Sequence, residues 1–264
     1  MVSANHTTQV TAWAELAIRR INDYLNANKL KLNPDKTKII TFTKGNQPKV
    51  SLVAGGEHIE SKTHTKLLGN YIHESLTWKK NSGILLGQPT DRLQSLRIMR
   101  KHTSFKVIKQ IANGIIMGKI NFAIQLWSGM PDYMALKFQK VLNSAARICI
   151  GSASNRYSTF KLLRSMGWLS FRQQAEYMSS QLINQIVKTS TPTLLCLKIK
   201  SDPIHPTRNN ESIGNYPRHW NKMVSRTSFM YRGVKDYNTL PLNLRTEKNK
   251  IIFKKKLKVH IEKK

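Results

Sequence analysis

The chain has 264 residues, 44 Lys and Arg against 14 Asp and Glu, and a formal net charge of +30. With 40% apolar residues it can fill a core, which excludes wholesale disorder; its charge selects polyanions, nucleic acid ahead of anionic membrane. The charge is not a tail: residues 1–83 hold 12 basic against 6 acidic residues, 84–190 hold 15 against 3, and 191–264 hold 17 against 5.

In chain order, Trp13, Ala17, Ile21 and Leu25 recur at helical spacing and predict a helix over 10–28. Thr7 or Thr8 can cap its start, and Asn28 can end it in the left-handed conformation. Asn33-Pro34-Asp35 is a turn, and Ile39-Ile40-Thr41-Phe42 has strand composition. Val50–Val53 and His58-Ile59 predict a hairpin across Gly55-Gly56, with a further extended piece at Lys66–Ile72. After residue 83 the period becomes helical, near 84–101, 104–127, 131–150, 158–166 and 170–189, with a break at 151–155. Residues 191–217 read as a linker, Phe229–Tyr237 as a strand or turn, and Ile251–Ile261 as a basic helix carrying Phe253, Leu257 and Ile261 on one face.

Several chemistries are absent from the text. Cys149 and Cys196 make no disulfide framework, and no Cys/His cluster has zinc-ligand spacing. Six Asp residues are scattered, with none of the paired carboxylates that bridge two metal ions about 3.5–4 Å apart. There is no Gly-x-Ser-x-Gly elbow. Gly114–Lys119 imitates a phosphate loop but is one residue short and has Ile120 where Ser or Thr belongs, so it reads as a helix whose glycines permit close packing. The N-terminus lacks the layout of a secretory signal, and the apolar stretch Ile111–Trp127 is interrupted by Asn113, Lys119, Asn121 and Gln125, so it is no membrane span. The expectation is an intracellular protein, nuclear or cytoplasmic, neither secreted nor membrane-bound.

The informative text is Ile21–Lys38, containing Asn28-Lys29-Leu30-Lys31-Leu32-Asn33-Pro34-Asp35-Lys36-Thr37-Lys38. It resembles the late palm of reverse transcriptases of non-LTR (LINE-like, jockey-type) retrotransposons. Lys66-Leu67-Leu68-Gly69-Asn70-Tyr71-Ile72, followed by Leu76-Thr77-Trp78, is similar to that family's primer-grip hairpin and the start of its thumb. Further on, Asn121–Trp127 is similar to the thumb's "Y-G-I-x-L-W" box, and Gln139–Arg147 to its "Q-x-x-x-N-x-A-A-R" helix. Gly167-Trp168-Leu169, Tyr237-Asn238-Thr239-Leu240-Pro241 and Phe253-Lys254 match later elements in the same order. Four positions depart from the pattern: His73 stands for an acidic residue, Asn81 for a His, Phe122 for the Tyr and Ala123 for the Gly of the "Y-G" box.

The resemblance implies an α+β chain: an incomplete palm at 1–80, a helical thumb at 81–190, and a linker with a basic C-terminal region at 191–264. It implies the family activity, RNA-directed DNA polymerisation with Mg²⁺. It also places the family's metal-binding aspartates upstream of Met1, so the chain alone is expected to bind template–primer RNA and DNA and not to extend it. Expected partners include the remaining polymerase portion or other element proteins. The alternative is a non-enzymatic RNA- or DNA-binding protein derived from a retrotransposon thumb.

In an intact polymerase, Lys36 would assist the leaving pyrophosphate; alone in this chain it reads as an exposed turn lysine. Leu68 and Gly69 would form the primer-grip turn, against the plainer reading of a hairpin corner. Trp78, Trp127 and Trp168 read as core anchors rather than stacking platforms. Phosphate contacts are expected from Lys36, Lys38, Lys66, Arg92, Arg97, Arg100, Lys101, Lys106 and Lys109. Lys254, Lys255, Lys256 and Lys258 join them, although that cluster fits a nuclear-import signal equally.

Overall fold

The computed structural model describes residues 7–42, 50–151, 158–200 and 227–264, and divides the chain into two compact units, Met1–Asn81 and Ser82–Lys264. The architecture is α+β, mostly helical, with two small antiparallel hairpins.

In the first unit, α1 runs from Thr7 to Ala27, so Thr7 and Thr8 lie inside its first turn and do not cap it. The left-handed stop falls on Lys29 (φ 58°), one residue beyond the expected Asn28, whose amide instead donates to the Tyr24 carbonyl at 2.8 Å. Asn33 caps a 3-10 turn at Pro34–Lys36, its Oδ1 accepting the Lys36 N–H at 3.1 Å. The strand expected at Ile39–Phe42 does not form. Its pairing is reduced to one parallel bridge between Ile39 and Ser61. Strands β1 (Ser51–Ala54) and β2 (Glu57–Glu60) make the hairpin across Gly55-Gly56, with Leu52 opposite Ile59. Leu52 and Ala54 alternate inward and join Val50 and Ile59 as the buried apolar residues of this unit among the described residues, with α1 packed on β1. The extended piece expected at Lys66–Ile72 is a second hairpin, β3 (His64–Leu67) and β4 (Asn70–His73).

The hairpins are followed by α2 (Lys79–Arg100). The helix expected over 104–127 is interrupted twice. It consists of α3 (Phe105–Ala112), a π-turn at Asn113–Met117, α4 (Gly118–Asn121), a break at Phe122-Ala123, and α5 (Ile124–Trp127). The cause lies in the spacing of the apolar residues. Ile108, Ala112, Ile116, Ile120 and Ile124 are all buried and stand strictly four apart. In an α-helix of 3.6 residues per turn each such step overshoots the buried face by about 40°. A π-turn, whose hydrogen bonds reach i+5, is more loosely wound and takes up that drift. Gly114 and Gly118 are therefore no close-packing positions: a Cβ on Gly114 would meet nothing, and one on Gly118 only an ordinary contact with the Asn113 carbonyl at 3.7 Å.

The long helices α6 (Asp132–Ile150), α7 (Thr159–Met166) and α8 (Phe171–Thr189) follow. The expected break at 151–155 is realised as a left-handed Gly151, and residues 152–157 lie outside the described residues. Within the linker expected at 191–217, Thr193–Lys200 forms α9, and the stretch from 201 lies outside the described residues. Phe229–Asn238 is a helix, α10, and not a strand or turn, because Val234 and Tyr237 bury one face of it and Ser228 caps its start. Two more complete the chain, α11 (Leu242–Arg245) and α12 (Lys250–Glu262). Phe253, Leu257 and Ile261 of α12 are buried in one cluster with Ile183 and Ile186 of α8 and with Val234 and Tyr237 of α10. The C-terminal region thus shares the core of the second unit.

That unit is closed by aromatic packing and two arginines. Trp127, Phe138 and Phe171 meet with ring centroids 5.0–5.8 Å apart. Arg172 donates to the Ser128 carbonyl at 2.7 Å, the Met130 carbonyl at 3.2 Å and Asp132 Oδ1 at 2.5 Å. Arg232 donates to the Thr227 carbonyl at 3.1 Å and to Ser128 Oγ at 3.0 Å. Between them Gly129 lets the backbone close, since a Cβ there would fall 2.0 Å from the Thr227 carbonyl oxygen. As core anchors, Trp127 and Trp168 are buried, with indole N–H groups donating to the Phe122 carbonyl at 2.8 Å and Asn113 Oδ1 at 2.7 Å; Trp78 is only half-buried.

Candidate nucleic-acid interface

In the first unit the hairpin β3–β4 turns through Leu68 (φ 46°) and Gly69 (φ 86°), both left-handed. That two-residue geometry matches the right-handed twist of the strands, and Gly69 adopts it without a steric penalty. Leu68 adopts it at a cost and is 87% exposed, so no burial explains a leucine at the tip. Behind the turn, Lys66 and Lys80 each place an ammonium 5.8 Å from the centroid of the Tyr71 ring. The Lys80 ammonium also meets His64 Nε2. Asn81, at the position where the family pattern has His, anchors the hairpin by accepting the Tyr71 N–H at 2.9 Å. His73 Nδ1 is held by Ser75 Oγ at 2.7 Å.

Lys36 is exposed in the 3-10 turn, whereas Lys38 folds its ammonium back onto the Asp35 carbonyl. Lys38 shares a shallow depression with Glu57 and Glu60 of β2, which weakens the positive field at that turn.

In the second unit the expected phosphate-binding residues divide into two sets. Arg92 donates to the Ile115 carbonyl at 3.3 Å, within the π-turn, where the helical ladder is disturbed. Arg100 donates to the carbonyls of Cys149 at 2.9 Å and Thr103 at 3.1 Å. Lys258 donates to the Gly167 carbonyl at 2.8 Å, and Lys256 pairs with Glu247 at 2.7 Å. These four knit the unit together. Arg97, Lys101, Lys106 and Lys255 are exposed, Lys109 is half-buried with its ammonium 5.9 Å from the Phe105 ring centroid, and Lys254 is half-buried on α12.

Sequence reasoning missed Lys188, Lys248 and Lys250, which line a cleft together with Lys254. Only the closeness of Lys248 and Lys250 to the terminal lysine cluster signalled them; Lys188 is some sixty residues away in the chain. Burial pulls the Lys188 ammonium below its ordinary pKa, against the opposing pull of the Glu247 carboxylate. The Cys149 thiol, buried, is pushed up to about 11, with the Arg100 charge working the other way, so it is no nucleophile.

Among the described residues no three His, Cys, Asp or Glu side chains come together to hold a metal ion. No helix among them is long and apolar enough to cross a membrane. Compared with known proteins, the chain matches no protein family, no curated protein and no solved structure.

Proposed function

We propose that the chain is the late-palm, thumb and C-terminal part of a non-LTR retrotransposon reverse transcriptase, and that it holds template–primer nucleic acid without extending it. The observation that carries this reading is the β3–β4 hairpin. The residues resembling a primer grip form a tight two-residue turn at Leu68-Gly69, followed directly by a helical, cationic unit. Ala123 adds support: it stands where the family pattern has Gly and adopts a left-handed backbone (φ 50°), the conformation that favours glycine. The exposed apolar side chains of α1, among them Trp13 and Tyr24, suit contact with the rest of a polymerase palm.

The test is binding of a fluorescein-labelled RNA template–DNA primer duplex across a salt series. Neutralising about six phosphates gives a slope of log K against log salt of roughly −5. The triple variant Arg97→Gln/Lys101→Gln/Lys106→Gln is expected to flatten that slope by about 2.7. A slope the triple variant leaves unchanged defeats the assignment of these residues, and no duplex binding at low salt defeats the reading itself. Primer extension by the purified chain with Mg²⁺ would refute the non-extending part.

A further inference from the structure

Helices α8 and α12 and the loop before α12 line a cleft of about 400 Å³, within the size range of small-ligand sites. Lys188, Lys248, Lys250 and Lys254 line it, and no carboxylate does. Among the described residues none of the four lysines is in an ion pair. The nearby Glu247 carboxylate is already engaged by Lys256. Four ammonium groups around one concavity raise one another's electrostatic energy, and Lys250 stands in the first turn of α12, where a cation opposes the helix dipole. A bound anion relieves both.

The rest of the lining is not that of a bare ion site. Met178 and Leu182 contribute apolar surface, and Gln181 and Gln185 contribute amides that can both donate and accept. Gln181 lies beside Tyr177, where its side chain hydrogen-bonds the phenol and opposes the rise that burial imposes on it, and its Nε2 is otherwise buried without a partner. Cations, apolar surface and two-way amides in one cleft match a phosphate, a base face and a base edge.

We propose that this cleft binds one nucleoside phosphate, its phosphate among Lys188, Lys248, Lys250 and Lys254, its base on Met178 and Leu182 with its edge toward Gln181 and Gln185. This rests on the reading of the chain as a nucleic-acid binder and adds a site for an unpaired unit to the duplex-holding surface. The ligand is either an unpaired nucleotide of a polynucleotide or a free nucleotide.

The test uses the full chain, a labelled ten-nucleotide single-stranded RNA, the labelled template–primer duplex, and AMP and inorganic phosphate as competitors. Lys248→Gln/Lys250→Gln, at two cleft residues outside the expected duplex contacts, is expected to weaken single-stranded RNA about tenfold and to flatten its salt slope by about 1.4, with duplex binding changed less than about twofold. AMP should displace the RNA at lower concentration than phosphate does, and Gln185→Ala, at an exposed residue, should narrow that advantage. Loss of RNA affinity in the lysine variant identifies the polynucleotide as the source; loss of AMP binding alone identifies the free nucleotide. Equal weakening of RNA and duplex, or phosphate competing as well as AMP, overturns the proposal. Duplex binding by the wild type with no cleft dependence of RNA or AMP sinks the cleft and leaves the duplex reading standing. Cleft-dependent RNA binding without duplex binding does the reverse.

Discussion

The two units of the chain bury apolar surface on very different scales. Among the described residues, all but four of the buried apolar side chains lie in the second unit; the first has Val50, Leu52, Ala54 and Ile59. The 21-residue α1 has no fully buried side chain from Thr8 onward, and it exposes Trp13, Leu16, Ile21 and Tyr24 to the extent of 47–68%. An amphipathic helix in water owes most of its stability to the face it buries. The comparison therefore separates a unit that carries its own core from one whose main helix is stabilised only in part by the contacts present.

The strongest way to probe that contrast is Trp127→Ala. It removes a fully buried ring and its hydrogen bond to the Phe122 carbonyl, with an expected loss of about 3–5 kcal/mol in the urea unfolding of the second unit. Native-state hydrogen exchange should show β1 and β2 less protected than α6 and α8 in the wild type. Equal protection would erase the distinction between the units.

A pH experiment sharpens the picture of the second unit. Burial, with the Glu176 carboxylate adding to it, pushes Asp236 from its usual 3.8 to about 6, against the pull of Arg232, Lys264 and Lys235. Between about pH 4 and pH 6 the folded chain then holds a proton that the unfolded chain has released, so stability falls as pH rises through that window. Asp236→Asn is expected to match the wild type near pH 4 and to exceed it by roughly 2 kcal/mol at pH 7. A variant less stable than the wild type at pH 7 would show that the charge at Asp236 helps the fold.

Smaller gains are expected where a side-chain-bearing residue adopts a left-handed backbone. Ala123→Gly in the second unit and Leu68→Asn in the first should each stabilise by up to about 1 kcal/mol, read from thermal melting. If Leu68→Asn stabilises the fold while weakening duplex binding, the exposed leucine is kept for contact with nucleic acid. The smallest effect belongs to Trp13→Ser. With half its surface already in solvent, the change should stay within about 0.5 kcal/mol, a sharp contrast with Trp127.

The same contrast governs what could be read from the sequence. Hairpin β1–β2 and the inward face of α12 were legible, because Gly-Gly between alternating residues and apolar residues four apart leave little choice. Ile39–Phe42 was misread because strand composition needs a partner strand, and the described residues supply only a single bridge. Phe229–Tyr237 was misread because aromatic and β-branched residues resemble a strand until the core is known; Val234 and Tyr237, three apart, join one buried cluster with Ile183 and Ile186, which a helix allows. For the interface, the sequence identified the cations but could not divide them. Whether Arg92 or Arg100 meets a phosphate or a carbonyl depends on backbone that lies twenty to fifty residues away.

The π-turn at Asn113–Met117 also bears on chain length. A π-turn holds one residue more per turn than an α-helix, and a Cβ on Gly114 would meet nothing. Deleting Gly114 would leave the buried Ala112 and Ile116 three apart, an ordinary α-helical interval, so the segment should accept a shortening that its neighbours would not. The Ile115 carbonyl would return to the helical ladder and Arg92 would be released toward solvent. A one-residue deletion here should therefore add a free cation to the surface, turning a length variant into a change of binding strength.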